Sequence, residues 1–472
     1  MKKIIFFNHP LIFEENKDVF EMQEKFIRYG ILSLATFLKS KGYTVKLIDH
    51  YELVDKKAER KIKKQLITFK PDFVGIPFFT TEVYNADKTA NFVKKVLGDK
   101  VKVIVGGPHL SALPKETMKG FFNFDIGVIG EGELPLEEIV KGKRLKNIKG
   151  IIYRQKNNKI IQNQLSKDLV DINKLPLPKY ELFNLEEYLQ SVYTGFLKPK
   201  KRKLILPLET TRGCPFNCKF CFRTVGRQVR LKDPQKVVRE IRRLINKYHI
   251  DQFEVIDGTF AISKQHALKI CELIKKEKMN KKMKFSVMCR ANTLDADVAK
   301  ALKKAGCFYI GIGVEAGSDR VLEKSGKGIT TKQLKEVIAA ANNEGIEVHS
   351  YFILGLPYET EKDIRETANF AKSLPVMGAN FAILVPFPGT EIYTLAKNKK
   401  MGYRLATEDY RLFGKQEGSA LINKKLSYKK LKELQAYCYK KFYLSSPRRF
   451  LVFLSHLNFE RFFNIAKSLF VK

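Results

Sequence analysis

The chain has 472 residues, enough for two or three domains rather than one core. Hydrophobic residues make up 44% and charged residues 29%, which excludes a disordered or fibrous protein. Lys+Arg number 87 against 50 Asp+Glu, a formal charge of +37 that suits anionic surroundings or simply a solvated lysine surface. No uninterrupted apolar run reaches the ~18 residues of a membrane span, and the start MKKIIFFNHP lacks a cleavable-signal pattern, so a cytoplasmic protein is expected.

Residues 1 to about 145 predict alternating strands and helices. Lys3–Asn8 reads as a strand, Glu24–Lys41 as a helix stopped by Gly42, and Thr44–Asp49 as a second strand. A charged helix follows near 57–70, then a strand over 72–78, a helix over 83–97 and a strand over 101–105 that runs into Gly106-Gly107. The last strand, 125–129, runs into Gly130-Glu131-Gly132-Glu133. This alternation predicts a doubly wound, Rossmann-like parallel sheet whose ligand lies beyond the strand ends, where both glycine clusters fall. Glycine there admits close backbone approach to a bulky cofactor, or serves a tight turn alone.

Residues 146–203 predict a β-hairpin turning at Asn157-Asn158, a proline-bearing connector and a basic stretch, Lys198 to Lys203. From 204 to 400 a second αβ series begins. Its strands are expected at 204–209, 253–256, 285–289, 309–314, 348–354 and 381–385, which fits a partial or full (β/α) barrel of TIM type. Residues 401–472 turn helical, basic and aromatic.

None of the seven cysteines precedes position 214, and three stand as Cys214-x₃-Cys218-x₂-Cys221. An odd count without a signal argues for metal or redox chemistry over disulfides. Zinc sites usually present four ligands in close pairs, and no fourth cysteine or histidine lies nearby. Three thiolates on a short loop would hold three irons of a 4Fe–4S cluster and leave the fourth open to a small molecule. The loop follows the first barrel strand, at the reactive end of such a fold.

The triplet, with Phe220 before its last cysteine, resembles the signature of the radical S-adenosylmethionine superfamily. Gly311-Ile-Gly-Val-Glu315-Ala-Gly317, Tyr351-Phe-Ile-Leu-Gly355-Leu-Pro357 and Pro386-Phe-Pro-Gly389-Thr390 recur in this order in one branch. That branch, of class B methyltransferases and anaerobic magnesium-protoporphyrin cyclases, carries a cobalamin-binding domain ahead of the barrel. Gly106-Gly-Pro-His109 and Gly130-Glu-Gly-Glu133 are similar to motifs of that domain.

The resemblance implies that Cys214, Cys218 and Cys221 hold the cluster and that its free iron chelates S-adenosylmethionine. One electron then cleaves the molecule to methionine and a 5′-deoxyadenosyl radical. It also implies Phe220 against the adenine, Glu315 on the ribose, Arg290 on the carboxylate and Gly355 beside the adenine. Asp257 takes the place of the amino-group contact, although relatives often add a second acidic or amide residue where this chain has Gly258. Glu315 paired with Arg290 as a barrel-mouth salt bridge is the plainer alternative.

Cobalamin would meet Thr80, Gly106, Gly107, His109, Gly130, Glu131 and Gly132. None of His9, His50 or His109 has Asp two residues before it, so the histidine-donating motif is absent. The implied activity is methyl transfer to an unactivated carbon of an apolar or lipid-like molecule. Radical cyclisation, oxidation or rearrangement is the alternative, and a tRNA-modifying or nucleic-acid-binding protein is the rival from another class. A small-molecule substrate and an electron donor such as flavodoxin or ferredoxin are the expected partners; nucleic acid is not. Residues 421–472 carry a net +10 and eleven aromatics, with Phe459, Phe462, Phe463, Ala466, Leu469 and Phe470 at helical spacing. That stripe fits either a bilayer interface or a closing helix on the barrel.

Overall fold

The computed structural model describes residues 2–8, 26–49, 56–192, 201–414 and 419–456. The front sheet runs through β1 (Lys3–Asn8), β2 (Thr44–Asp49), β3 (Phe73–Pro77), β4 (Lys102–Gly106) and β5 (Ile126–Val128), then β6 (Ile151–Arg154) and β7 (Ile160–Gln162). Its order is β2-β1-β3-β4-β5-β6-β7, parallel through β5 and antiparallel beyond. The hairpin at 148–165 therefore finishes the front sheet, with Asn158 in a left-handed turn. Along β1, Ile4 and Phe6 join one core and Ile5 and Phe7 the other. Both faces are thus covered by helices, as a doubly wound sheet requires.

Helix α1 begins only at Tyr29 and runs to Ser40. The apolar period extends upstream, but Arg28 is extended and its guanidinium is held by Glu82, which ends the helix there.

The second domain is a sheet of six parallel strands in sequence order, a partial barrel: β8 (Leu206–Leu208), β11 (Gln252–Val255), β12 (Lys284–Cys289), β13 (Cys307–Glu315), β14 (Glu347–Leu354) and β15 (Gly378–Ile383). Two short strands, β9 (Thr211–Arg212) and β10 (Arg230–Leu231), pair antiparallel after β8. The exposed edge of β15 is covered by the helix Tyr428–Tyr443. Tyr439 Oη accepts from Phe381 N at 3.2 Å, Tyr443 Oη donates to Ala379 O at 3.0 Å, and Gln435 donates to Phe381 O at 2.7 Å. Side chains thus stand in for a seventh strand and blunt the edge. Arg449, on the next helix (Pro447–His456), donates to the carbonyls of Lys372, Leu374 and Val376 and stacks on Phe442. It caps the C-terminus of the helix Glu361–Ser373. The basic aromatic region up to 456 therefore closes the barrel, whereas the stripe at 459–470 lies outside the described residues. Among the described residues no helix is long and apolar enough to cross a membrane.

Candidate functional site

The pairing Thr211↔Leu231 and Arg212↔Arg230 closes residues 213–229 into one loop. Gly213 opens it with φ +97°, and a Cβ there would lie 2.1 Å from the Gln228 carbonyl, so only glycine fits. Within the loop Cys214 N donates to Gly226 O, and Cys221 N to Cys218 O. Lys219 N reaches Ser325 O at 3.0 Å, which ties the loop to the far side of the barrel mouth.

Asp257 is fully buried and accepts from Thr210 N at 2.7 Å, Thr211 N at 3.0 Å and the Thr210 hydroxyl. Burial raises its carboxyl to about 6 against those hydrogen bonds. Its visible work is to hold the strand that feeds the cysteine loop.

Arg290 is also buried; its Nη1 lies 3.3 Å from Cys218 Sγ, Nε donates to Asn292 Oδ1, and the guanidinium covers Phe216 at 4.0 Å. Glu315 has φ +68° and pairs at 2.7 Å with buried Lys327, so the alternative of a Glu315–Arg290 bridge is not what forms. Gly313 clears the space, since a Cβ there would meet Glu315 Oε1 at 2.5 Å and Lys327 Nζ at 2.9 Å. Phe220 packs half-buried on the barrel core. Gly355, at φ +89°, donates to Glu359 Oε2 at 2.5 Å, and Leu356 N donates to the same oxygen at 3.0 Å. Burial pushes the Glu359 carboxyl up to about 8. Lys327 and Glu359 were missed in the sequence because neither lies in a recognised motif; Lys327 folds back twelve residues onto Glu315, and Glu359 caps the turn four residues after Gly355.

A cavity of about 440 Å³ opens between the front domain and the cysteine loop. The ends of β1, β3, β4 and β5 and helix α1 form its body, while Glu209, Arg212, Thr224, Val225 and Ile256 of the barrel close it. Gly106, Gly107, Gly130, Glu131 and Gly132 all line it. Gly130 has φ +82° and open space where a Cβ would stand; a Cβ at Gly107 would instead strike the Phe78 carbonyl at 2.5 Å. Thr80 and His109 do not line the cavity. His109 is buried edge-on to Tyr410 at 4.5 Å, with neither ring nitrogen hydrogen-bonded among the described residues. Burial lowers its pKa to about 3. His9 and His50 lie outside the described residues.

The cavity rim and the root of the cysteine loop share Glu209 and Arg212. Arg212 donates to Glu209 at 3.0 and 3.1 Å and to Glu133 at 2.9 Å, and lies 3.7 Å from Glu131. Glu131 also takes both Nη atoms of Arg230. Glu133 accepts from Ser33 on α1 at 3.1 Å.

Two family models match the chain: the radical SAM superfamily over residues 208–371 and the B12 binding domain over 19–140. An uncharacterized methyltransferase of Pyrococcus horikoshii is 34% identical over 379 residues, 78% of each chain. The chain belongs to the radical SAM superfamily and carries a B12-binding domain. This radical SAM enzyme is also 28% identical to the anaerobic magnesium-protoporphyrin IX monomethyl ester cyclase of Rubrivivax gelatinosus, over 76% of its own length and 64% of the cyclase. Its fold is shared with the radical S-adenosylmethionine methyltransferase TsrM of Kitasatospora setae, at 18% identity and TM-score 0.68, with 88% and 79% of the two chains covered. The cobalamin-dependent radical enzyme OxsB gives 16% identity and TM-score 0.73, over 99% of this chain and 75% of OxsB.

The enzyme's cofactors are a 4Fe–4S cluster, S-adenosylmethionine and cobalamin, and its residues fit them. Cys214, Cys218 and Cys221 are free thiols on one loop, the donor set a 4Fe–4S cluster takes with each thiolate on a separate iron. The apolar cavity with glycine at its rim suits a large organic cofactor, and among the described residues no histidine lines it.

Proposed function

We propose that this enzyme transfers a methyl group to an unactivated carbon of a small apolar substrate, using cobalamin as the methyl carrier. The observation that carries the reading is the shared wall: Arg212, Thr224 and Val225 belong both to the cysteine-loop segment and to the lining of the front cavity. When bound, the cluster and S-adenosylmethionine supply a carbon radical, and cobalamin supplies the methyl group.

The chain's own residues orient these reactants and keep water out. Cys214, Cys218 and Cys221 would hold the cluster, and Asp257 would hold the strand that carries them. Arg290 and Lys327 would offer positive charge to the methionine carboxylate, while Glu315 would accept from the ribose. Phe220 and the Gly355 backbone, the latter pinned by Glu359, would flank the adenine. Gly106, Gly107, Gly130, Glu131 and Gly132 would face the corrinoid. Thr80 and His109 would act, if at all, by supporting the strand ends, since neither reaches the cavity. The half-buried Cys214 and Cys218 and exposed Cys221 leave the loop accessible to a one-electron donor such as a flavodoxin or ferredoxin.

Product analysis tests this reading. Methyl transfer yields S-adenosylhomocysteine and 5′-deoxyadenosine together; 5′-deoxyadenosine alone would replace it with cyclisation or another radical outcome. Exposed Leu444, Phe450 and Leu451 beside a basic C-terminus support contact with anionic lipid surfaces. Anionic-vesicle flotation should fall when residues 457–472 are removed, a truncation that spares Arg449. Unchanged flotation would remove the membrane from the proposal.

A further inference from the structure

The cysteine loop meets the front domain at two places. Its root is held by ions, with Arg212 on Glu133 and Arg230 on Glu131. Its far end is held by packing, through Phe222, the residue directly after Cys221.

A Cβ on Gly389 would lie 2.4 and 2.5 Å from Phe222 Cδ2 and Cε2, and 3.0 Å from Ala112 Cβ. The missing side chain leaves a notch where three segments meet: the cysteine loop, the barrel turn at 386–390 and the front-domain helix Pro108–Ala112. That helix starts directly after Gly107, which lines the front cavity.

The barrel turn is itself firmly set. Buried Thr390 donates to Phe387 O at 2.7 Å and accepts from Tyr393 N at 3.1 Å, which caps the helix Glu391–Lys397. That helix grips the cysteine loop again: Ile392 N donates to Lys219 O at 3.3 Å, and Glu391 pairs with Lys219 Nζ at 3.4 Å. Beside the notch an apolar seam joins Leu113 of the front domain to Val385, Tyr393 and Phe413. The notch stands on a packed base.

A loop pinned only at its root can pivot about it, whereas a second contact fixes how far its thiols stand from the neighbouring wall. We infer that Phe222 is a positioning residue: seated at Gly389 against Ala112, it sets the spacing between the cluster loop and the corrinoid end of the front domain. The inference rests on a cluster held by Cys214, Cys218 and Cys221 and on corrinoid in the front cavity. Spacing matters because a misplacement of about 1 Å between reacting groups costs on the order of 100-fold in rate.

The test uses full-length, cluster-reconstituted protein loaded with cobalamin and reduced anaerobically, so that cobalt and cluster each carry an unpaired spin. Electron paramagnetic resonance then reads the relaxation of the cobalt spin, which the cluster accelerates more steeply the closer it lies. Phe222→Ala should lose part of this acceleration and spread the rest over a range of distances, with iron and corrinoid content unchanged. Phe222→Leu, which keeps most of the apolar bulk, should restore it. Gly389→Ala should shift the relaxation when Phe222 is present and add nothing to Phe222→Ala, because the notch matters only while the ring fills it. Ala112→Leu crowds the same ring from the front domain and serves if Gly389→Ala does not fold.

Unchanged relaxation in Phe222→Ala overturns the inference. So does an equal shift by Gly389→Ala in both backgrounds, which would report backbone strain at φ +84° instead of contact. Loss of iron from Phe222→Ala makes the ring a support of the fold and overturns positioning. Absence of acceleration in the unmutated enzyme overturns it too, since the two groups would then lie too far apart for one ring to matter. Failure of the unmutated protein to retain iron or corrinoid overturns the reading beneath the inference, and the inference with it.

Discussion

The barrel and the front domain build their sites by opposite routes. In the barrel, the three cysteines proposed to hold the cluster lie within eight positions of one loop, and the fold contributes their anchors: Asp257 behind, Ser325 across the mouth, Arg290 at Cys218. In the front domain no local segment holds the site. Its cavity exists only where four strand ends, one helix and the neighbouring domain meet. A contiguous thiol motif survives any loop geometry that brings its sulfurs together. A cavity survives only if every wall stays in place, so the front site depends on packing and on the interdomain ion network.

The sharpest break is on the barrel side. Replacing Cys214, Cys218 and Cys221 together by Ala should take bound iron from about four per chain to near none, with the front domain still binding corrinoid. Loss of corrinoid as well would mean that the two sites are one unit. The interdomain ions come next. Arg212→Met leaves Glu133 and Glu209 buried beside an apolar side chain and should cost about 3 kcal/mol in urea unfolding. It should weaken both cofactors, since its partners span both walls; an effect on only one would confine Arg212 to that domain.

Glu359 gives a pH signature confined to the barrel. Its carboxyl is raised from 4.5 to about 8, so the folded state holds a proton that the unfolded state releases. Its contribution is complete below about pH 4.5 and is lost as pH rises to about 8, on the order of a few kcal/mol. Glu359→Gln should flatten thermal stability across that window; an unchanged slope would place the titration elsewhere. His109 gives the opposite signature in the front domain. Its pKa is lowered from 6.5 to about 3, so the neutral ring's contribution is present above about 6.5 and is lost as pH falls toward 3. His109→Leu should soften that acid-side loss and leave corrinoid affinity unchanged. A fall in affinity would bring the ring into the cavity after all.

Much of this was legible in the chain because it is locally encoded. The strands Lys3–Asn8 and Thr44–Asp49 and the helices Val83–Leu97 and Pro234–Tyr248 match their apolar periods, since each buries a face whose spacing is written in consecutive residues. Where a distant side chain intervenes, the period misleads: Arg28, drawn to Glu82, starts α1 later than Glu24.

The same division runs through the functional residues. Sequence alone determined the thiol triplet, the order of the two domains and the glycines at the strand ends, because these need only neighbours in the chain. Tertiary structure alone decided that Glu315 meets Lys327, that Arg290 turns to Cys218, and that Glu359 holds Gly355. It also placed His109 away from the cavity and joined Glu131 to Arg230 across the domain boundary. Charge pairing acts over ångströms in space, between residues as far apart in the chain as 131 and 230, and no periodicity records it.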